Sequence, residues 1–290
     1  MSDFFKKLFS PITATLDFIQ NYFKSLLFLL VVLLILAPAG SESVKPPNLA
    51  KLDLTGPIVD AAKIVKQIDD LAGEKSIKGV LFVVNSPGGA VAPSVEIALA
   101  IKRLKTRKPV VAYAAGTMAS GSYYASIWAD RIVANPAATI GSIGVIMEGV
   151  NIKGLIDKIG IKPQVVKAGR YKEAGTPFRE WTKEERREIE SHVFDIYRMF
   201  VNDVAKARKL DPNHPEKFAD AQIFIAEKAK RVGLIDEIGS IRDAEELTKT
   251  ISGVTEARWK EKSRFEQYIE NLAEQSARIF ASQLKGWIIK

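Results

Sequence analysis

The sequence contains no cysteine, only two histidines, and no apolar run as long as a typical membrane-spanning helix. Without cysteine, the chain can form neither a disulfide nor a thiolate zinc site. His192 and His214 have no partner at the spacing of metal ligands, so we expect no metal and no other cofactor. The same two histidines disfavour a serine–histidine–aspartate triad, so a nucleophile in this chain would need a different base.

The net charge is +8, but the excess is spread along the 290 residues rather than clustered. Nucleic-acid-binding proteins concentrate positive charge in a patch or stripe, so we expect no nucleic-acid partner. We interpret the charge as solvated surface with a mild attraction to anionic lipid. Apolar residues make up 47% of the sequence, which is enough to bury a sizeable core.

The longest apolar run, Leu26 to Ala37, has twelve residues, fewer than the roughly 20 that cross a bilayer as a helix. Extending the segment to residues 22–40, with Lys24 snorkelling to the interface, brings it close to that length. We predict a transmembrane signal-anchor at 22–40 and a cytoplasmic segment at 1–21, because lysines precede the apolar run. A cleaved signal peptide is the alternative, since Ala37-Pro38-Ala39 is similar to a cleavage site.

Beyond a polar, proline-containing linker at 41–48, strand and helix patterns alternate over a domain that we assign to residues 49–253. The predicted strands are Leu49–Gly56, Val80–Val84, Pro109–Tyr113, Arg131–Ala134, Thr139–Met147 and Pro163–Lys167, and the predicted helices are 59–71, 93–104, 118–128, 151–159 and 182–209. This alternation predicts an α/β fold with a mainly parallel sheet. Residues 254–290 include an amphipathic helix that nothing else in the chain covers, so we expect a subunit contact or a membrane surface there.

Three segments follow predicted strands, and the carboxyl ends of parallel strands meet at one edge of a sheet. Asn85-Ser86-Pro87-Gly88-Gly89 has two glycines whose amides can bind a developing oxyanion. Ser120 lies among small residues where a strand turns into a helix, which suits a nucleophile. Lys172 follows the third strand, and a lysine that burial keeps neutral can act as a general base. Taken alone, however, these residues are explained as an ordinary turn, a helix cap and a solvated surface lysine.

Taken together, four motifs in this order resemble the signal peptide peptidase A and protease IV family of serine proteases. The motifs are NSPGG (85–89), MASGSYYAS (118–126) with the following Ala129-Asp130, TIGSIGV (139–145) and GRYKEAGTPFRE (169–180). The resemblance spans roughly Leu49 to Thr250. It implies the fold of the Clp protease and crotonase superfamily, which is built from repeated strand–strand–helix units.

The resemblance also implies a serine–lysine dyad with an oxyanion hole. It assigns the nucleophile to Ser120, the general base to Lys172, the oxyanion-hole glycines to Gly89 with its neighbour Gly88 and to Gly121, and the orientation of the lysine amine to Ser142. Ser122 stands where relatives often have glycine, which makes it a second, less favoured nucleophile candidate. The strand after the nucleophile lacks the histidine that Clp protease has there, and this favours the lysine mechanism.

Long relatives carry two copies of the domain, whereas this chain has one copy that holds both the serine and the lysine. The resemblance implies a ring-shaped homo-oligomer, with an octamer as one candidate, in which Lys172 can reach Ser120 of a neighbour. We predict an endopeptidase, anchored in the bacterial inner membrane with its domain on the extracytoplasmic side, that degrades signal peptides and has apolar substrate pockets. The alternatives are a crotonase-like acyl-CoA enzyme and a catalytically inactive membrane scaffold for quality control.

Overall fold

The computed structural model describes residues 18–32 and 45–260. The chain divides into two compact units, Met1–Lys45 and Pro46–Lys290. In the first unit, residues 18–32 form a helix (α1) with mostly exposed apolar side chains. None of the described helices combines the length and the apolar character that crossing a bilayer requires. The predicted transmembrane segment lies partly outside the described residues, and the predicted C-terminal helix beyond residue 260 lies entirely outside them.

The second unit confirms the predicted alternation of strands and helices. Its strands are β1 (Leu49–Thr55), β2 (Gly79–Ser86), β3 (Val110–Ala119), β4 (Arg131–Ala134), β5 (Thr139–Gly141), β6 (Ile223–Ile225), β7 (Glu237–Ile238) and β8 (Trp259–Lys260). Its helices are α2 (Ala62–Gly73), α3 (Val91–Lys105), α4 (Gly121–Ser126), α5 (Lys153–Lys158), α6 (Lys183–Arg208), α7 (Ala226–Arg231) and α8 (Ile241–Ile251), with a 3₁₀ turn at Pro215–Lys217.

The strands form one sheet in the order β6-β5-β3-β2-β1-β8, and each neighbouring pair is parallel except β5 with β6. The first half of β3 pairs with β4, and the end of β3 pairs with β5. In the second pairing, Ala119 lies opposite Gly141. β7 extends the sheet from β4. The carboxyl ends of β2, β3 and β5 therefore meet at one edge, which brings their following loops together.

Alternate residues of the central strands face opposite layers of helices, because successive side chains of a strand point to opposite faces. Val80, Phe82 and Val84 of β2 belong to the main core, which includes residues of α2, α3 and α4. Leu81 lies between them in the chain and belongs to a smaller cluster with Ala244 of α8. Burial on both faces explains why β2 is a continuous apolar run in the sequence.

Two predicted strands are wrong in part or whole. Residues 163–167 are exposed and irregular, and they pair with no strand in the described part of the chain. A strand needs a ladder partner, and this segment lies outside the sheet. β5 ends at Gly141 instead of Met147, because Gly141 and Ser142 adopt left-handed φ angles of 101° and 49°.

The helix boundaries follow the local sequence signals closely for α6 and less closely for α4. The helix predicted from Met118 begins at Gly121, because Met118 and Ala119 continue β3. α6 begins as predicted, with a capping box in which the Thr182 hydroxyl accepts from the Glu185 amide and the Glu185 carboxylate accepts from the Thr182 amide.

Candidate active site

Ser120 lies where β3 turns into α4, in a backbone conformation that serine rarely adopts. Its φ is 53° and its ψ is −126°. Its amide donates a hydrogen bond to the Gly141 carbonyl at 2.8 Å, and its carbonyl accepts one from the Tyr124 amide at 3.0 Å. Strain of this kind persists only where the surroundings fix it, and a strained strand-to-helix turn is a known setting for a nucleophilic serine.

The glycine turn after β2 packs directly against Ser120. A Cβ atom on Gly88 would lie 2.5 Å from the Gly121 amide nitrogen and 2.9 Å from the Ser120 Cβ. A Cβ atom on Gly121 would lie 2.2 Å from the Ser94 hydroxyl and 3.3 Å from the Gly89 amide nitrogen. Only glycine allows the two backbones to approach this closely. The structure thus brings Gly88, Gly89, Ser120 and Gly121 together.

Two amides in this cluster are available to bind an oxyanion. Gly121 is the first residue of α4, so its amide has no partner within its own helix. The Gly89 amide donates no hydrogen bond within residues 45–260. Its neighbours are engaged, since the Gly88 amide donates to the Ser86 hydroxyl at 3.2 Å and the Ala90 amide donates to the Ile58 carbonyl at 2.8 Å. Gly88 therefore positions Gly89, and the Gly89 amide is the free donor.

A buried serine fastens the glycine turn to β3. Ser122 is fully buried, and its hydroxyl donates to the Ser86 carbonyl at 2.6 Å and accepts from the Ala119 amide at 2.9 Å. From the other side, the Asn85 side-chain oxygen accepts from the Thr117 amide at 3.0 Å. The Ser122 hydroxyl is committed to these structural bonds, which disfavours Ser122 as the alternative nucleophile.

A small apolar cleft, partly open to solvent, lies beside Ser120. Its apolar lining comes from α3, from the segment after β5 and from α6, and consists of Val91, Val95, Val145, Ile196, Met199 and Phe200. Tyr124 also lines the cleft, with its hydroxyl donating to Asp203 and its ring meeting Phe200 edge-on. Burial and the contact with Asp203 raise the pKa of Tyr124 above its usual range, so this side chain stays neutral. Such a cleft fits an apolar side chain of a substrate.

Ser142 leaves the sheet beside Ser120. Because Ala119 lies opposite Gly141, the two serines follow paired residues of adjacent strands. Ser142 is half-buried, and its amide donates to the Gln222 carbonyl at 2.7 Å. Both serines have left-handed φ angles, so the chain turns sharply at the same level of both strands.

Lys172 is the one predicted site residue that lies apart from this cluster. It belongs to an exposed turn at 169–175 and is not among the residues that line the cleft. Within residues 45–260, no hydrogen bond joins its amine to Ser120. In the described part of a single copy, the predicted nucleophile and amide donors lie together, and Lys172 is exposed and makes no hydrogen bond to Ser120.

An ionic cluster of four residues fastens the turn that carries Lys172. Arg179 donates to both oxygens of Glu185 and to Glu173, and Lys167 also donates to Glu173. Hydrogen bonds from Arg179 lower the pKa of Glu185 to about 2 and that of Glu173 below its usual value. The capping-box pattern predicts the place of Glu185 at the start of α6, but no sequence signal predicts its ion pair with Arg179.

The fold and the Ser120 cluster define the class of protein: a serine hydrolase on a mainly parallel α/β sheet. Family comparison agrees, since the Clp protease model matches residues 50–140 and the model of peptidase family S49 matches residues 102–255, more than half of the chain. The chain belongs to peptidase family S49, and with it to the serine proteases.

Named relatives support the same assignment. A candidate protease of Methanocaldococcus jannaschii, MJ0651, is 43% identical over 68% of this chain and 63% of its own length. A candidate signal peptide peptidase SppA of Enterococcus faecium is 34% identical over 74% of this chain and 67% of its own length. The chloroplastic serine protease SPPA of Arabidopsis thaliana is 30% identical over 74% of this chain but only 32% of its own length. All three are named as proteases, which favours a peptidase over the acyl-CoA alternative.

Proposed function

We propose that this protein is a membrane-anchored serine endopeptidase that degrades signal peptides with a dyad of Ser120 and Lys172. The placement of Ser120 carries the proposal, because its strained turn lies beside two available amides and an apolar cleft. Lys172 acts as the general base and takes the proton from the Ser120 hydroxyl as the oxygen attacks the scissile carbonyl. The Gly89 and Gly121 amides donate to the oxyanion. Lys172 returns the proton to the leaving amine, and water then releases the acyl-enzyme.

The proposed dyad forms between neighbouring copies in a ring-shaped homo-oligomer, for which an octamer is one candidate. The segment 145–178, which carries Lys172, supports this because it exposes many apolar side chains. They include Ile146, Met147, Val150, Ile161, Val165, Val166 and Tyr171. A concentration of exposed apolar side chains in one segment is typical of a protein contact. A second copy would bury this surface and bring the exposed lysine to a Ser120 hydroxyl, with Ser142 orienting the amine.

The proposed substrates are the leucine-rich apolar segments of signal peptides at the outer face of the bacterial inner membrane. The lining of the cleft supports an apolar substrate side chain. The exposed apolar side chains of α1 support a membrane anchor at 22–40, which would leave the domain on the extracytoplasmic side. The name of the enterococcal relative points to the same substrate class.

The experiment is cleavage of a synthetic leader peptide, followed by mass spectrometry of the products. Wild type should cut within the apolar segment, and Ser120→Ala should lose at least about 1,000-fold in rate because the nucleophile is gone. Ser126→Ala is the matched control, since Ser126 is another buried serine of α4. Cleavage by Ser120→Ala at the wild-type rate would overturn the proposal.

Mixing two inactive variants tests the proposed contact between copies. Oligomers that contain both Ser120→Ala and Lys172→Ala subunits should regain part of the wild-type rate, because some contacts then pair an intact serine with an intact lysine. No activity in verified mixed oligomers would place the dyad within one chain.

A further inference from the structure

We infer that Lys167, Glu173, Arg179 and Glu185, here called the arm cluster, are positioning residues for the catalytic lysine. The arm cluster fixes the turn that carries Lys172 and holds the Glu173 carboxylate away from the Lys172 amine. The inference rests on the proposed function, because it takes Lys172 as the base. The four residues act through Lys172 and are not assigned any contact with substrate.

Arg179 is the centre of the arm cluster. Its two terminal nitrogens donate to the two oxygens of Glu185 at 2.8 and 2.7 Å, and one of them also donates to Glu173 at 2.8 Å. Lys167 donates to the same Glu173 oxygen at 2.8 Å. The Glu185 side chain is only 3% exposed and also accepts from the Thr182 amide in the capping box. The start of α6 is therefore a rigid anchor to which the arm cluster ties the preceding turn.

Residues 176 and 177 are also held, by hydrogen bonds from the Trp181 indole and the Ile152 amide, but the residues that lead into the turn have little else to hold them. Residues 161–172 are exposed throughout, so apolar burial does not fix their position. The turn itself is closed by hydrogen bonds from the Ala174 amide to the Tyr171 carbonyl and from the Thr176 amide to the Glu173 carbonyl. Adjacent Cα atoms are about 3.8 Å apart, so a fixed Glu173 also fixes the backbone of Lys172.

Glu173 also matters for the chemistry of its neighbour. A free carboxylate beside a lysine favours the charged ammonium form, which cannot accept a proton from serine. The charged groups around Glu173 are Lys167 from the preceding segment and Arg179 from the following loop, and Arg179 also pairs with Glu185 of α6. The two cations engage the Glu173 carboxylate, which leaves the Lys172 amine free to face the nucleophile.

The test compares Arg179→Gln with a matched variant, Arg208→Gln. Arg208 makes a similar two-bond pair with Asp236, at 2.9 and 3.1 Å, at the other end of α6. We expect Arg179→Gln to lower kcat about 10- to 100-fold, as a small misplacement of a reacting group does. It should leave KM nearly unchanged and move the acidic limb of the kcat/KM profile to higher pH. Arg208→Gln should lower thermal stability without moving kcat or the limb.

A double variant separates the charge effect from the loss of position. In Glu173→Gln/Arg179→Gln no free carboxylate remains beside Lys172, so the acidic limb should return toward that of wild type while kcat stays low. If Arg179→Gln does not fold, Arg179→Lys keeps a positive charge but loses the two-pronged contact, and a smaller decrease in kcat is expected.

The outcomes distinguish this inference from the proposed function. Arg208→Gln should lower stability without changing kcat or the acidic limb. If the Arg179 variant that folds does the same, the arm cluster is merely structural and the inference is overturned. The inference fails while the proposed function stands if Lys172→Ala is inactive and Arg179→Gln keeps full activity with an unchanged acidic limb of the kcat/KM profile. Full activity in Lys172→Ala would instead remove the base on which both proposals depend.

Discussion

The two halves of the proposed site are held in place by different forces. Ser120 and the glycine turn rest on buried strands, and short backbone contacts and the Ser122 hydroxyl fix them to the core. Lys172 lies in an exposed turn that ion pairs hold to the start of α6. The predicted nucleophile is therefore part of the folded core, whereas the predicted base lies in residues 161–180, here called the arm, whose described contacts are largely ionic.

The difference predicts how each half responds to its surroundings. Apolar burial depends little on pH or salt, whereas exposed and partly exposed ion pairs weaken as ionic strength rises and as carboxylates are protonated. Substitutions around Ser120 and the glycine turn, here called the core half, should change stability and activity together. Changes of pH or charge in the arm should first affect the position of Lys172.

Among the changes that compare the two halves without removing either predicted catalytic side chain, the largest effect is expected from Gly88→Ala. Alanine at a φ of 89° is strained, by about 1–2 kcal/mol, and its Cβ would lie 2.5 Å from the Gly121 amide nitrogen. This clash should displace the Gly121 amide, which is one of the two proposed oxyanion donors. Losing an oxyanion donor lowers kcat by about 100- to 1,000-fold. Peptide hydrolysis and thermal denaturation measure the two effects. Gly73→Ala is the control, because a Cβ there meets nothing within 4 Å; a fully active Gly88→Ala would show that this close approach has no catalytic role.

An intermediate effect is expected from Ser122→Ala. Removing the hydroxyl leaves the buried Ser86 carbonyl without its donor, which should lower the free energy of unfolding by about 1–3 kcal/mol. The glycine turn then loosens, so kcat should fall as well, by about 10-fold for a small misplacement. Denaturant titration and kinetics on the same samples measure both. Ser126→Ala should leave kcat unchanged, and an equal loss of kcat in both variants would contradict a specific role of Ser122.

The smallest effect is expected from lowering the pH, which should change the structure of the arm before that of the core. Because Arg179 lowers the pKa of Glu185 from 4.5 to about 2 and also lowers that of Glu173, these carboxylates stabilise the arm fully above pH 4.5. That contribution disappears as the pH falls toward 2, since protons then bind in both folded and unfolded states. Trp181 reports on the arm, because its indole donates to the Thr176 carbonyl. Its fluorescence, taken as the difference from Trp181→Phe, should change within this window and before the core unfolds. A change that coincides with global unfolding would contradict separate control of the two halves.

Much of the core half could be predicted from sequence, because its signals are local. Continuous apolar runs indicate β2 and β3, small residues indicate the turn at Ser120, and TKEE indicates the start of α6. These patterns depend on neighbours in the chain, which the sequence shows directly.

The arm could not be predicted as well, because its described contacts join residues that belong to different elements. Residues 163–167 have the apolar pattern of a strand, yet no strand of the described residues lies beside them. The contact of Arg179 with Glu185 joins a loop to a helix, and either residue alone is typical of solvated surface. The structural role of Ser122 in α4 likewise depends on Ser86, which lies at the end of β2.

The central claim is that the amine of Lys172 activates the hydroxyl of Ser120. The most direct test is the rate at which a fluorophosphonate probe labels Ser120, followed by mass spectrometry of the intact protein and its peptides. Wild type and Lys162→Ala, which removes an exposed lysine of the same segment, should be labelled at Ser120 at similar rates. Lys172→Ala should be labelled at least about 100-fold more slowly, the usual contribution of a general base. Labelling of Lys172→Ala at the wild-type rate would contradict the account.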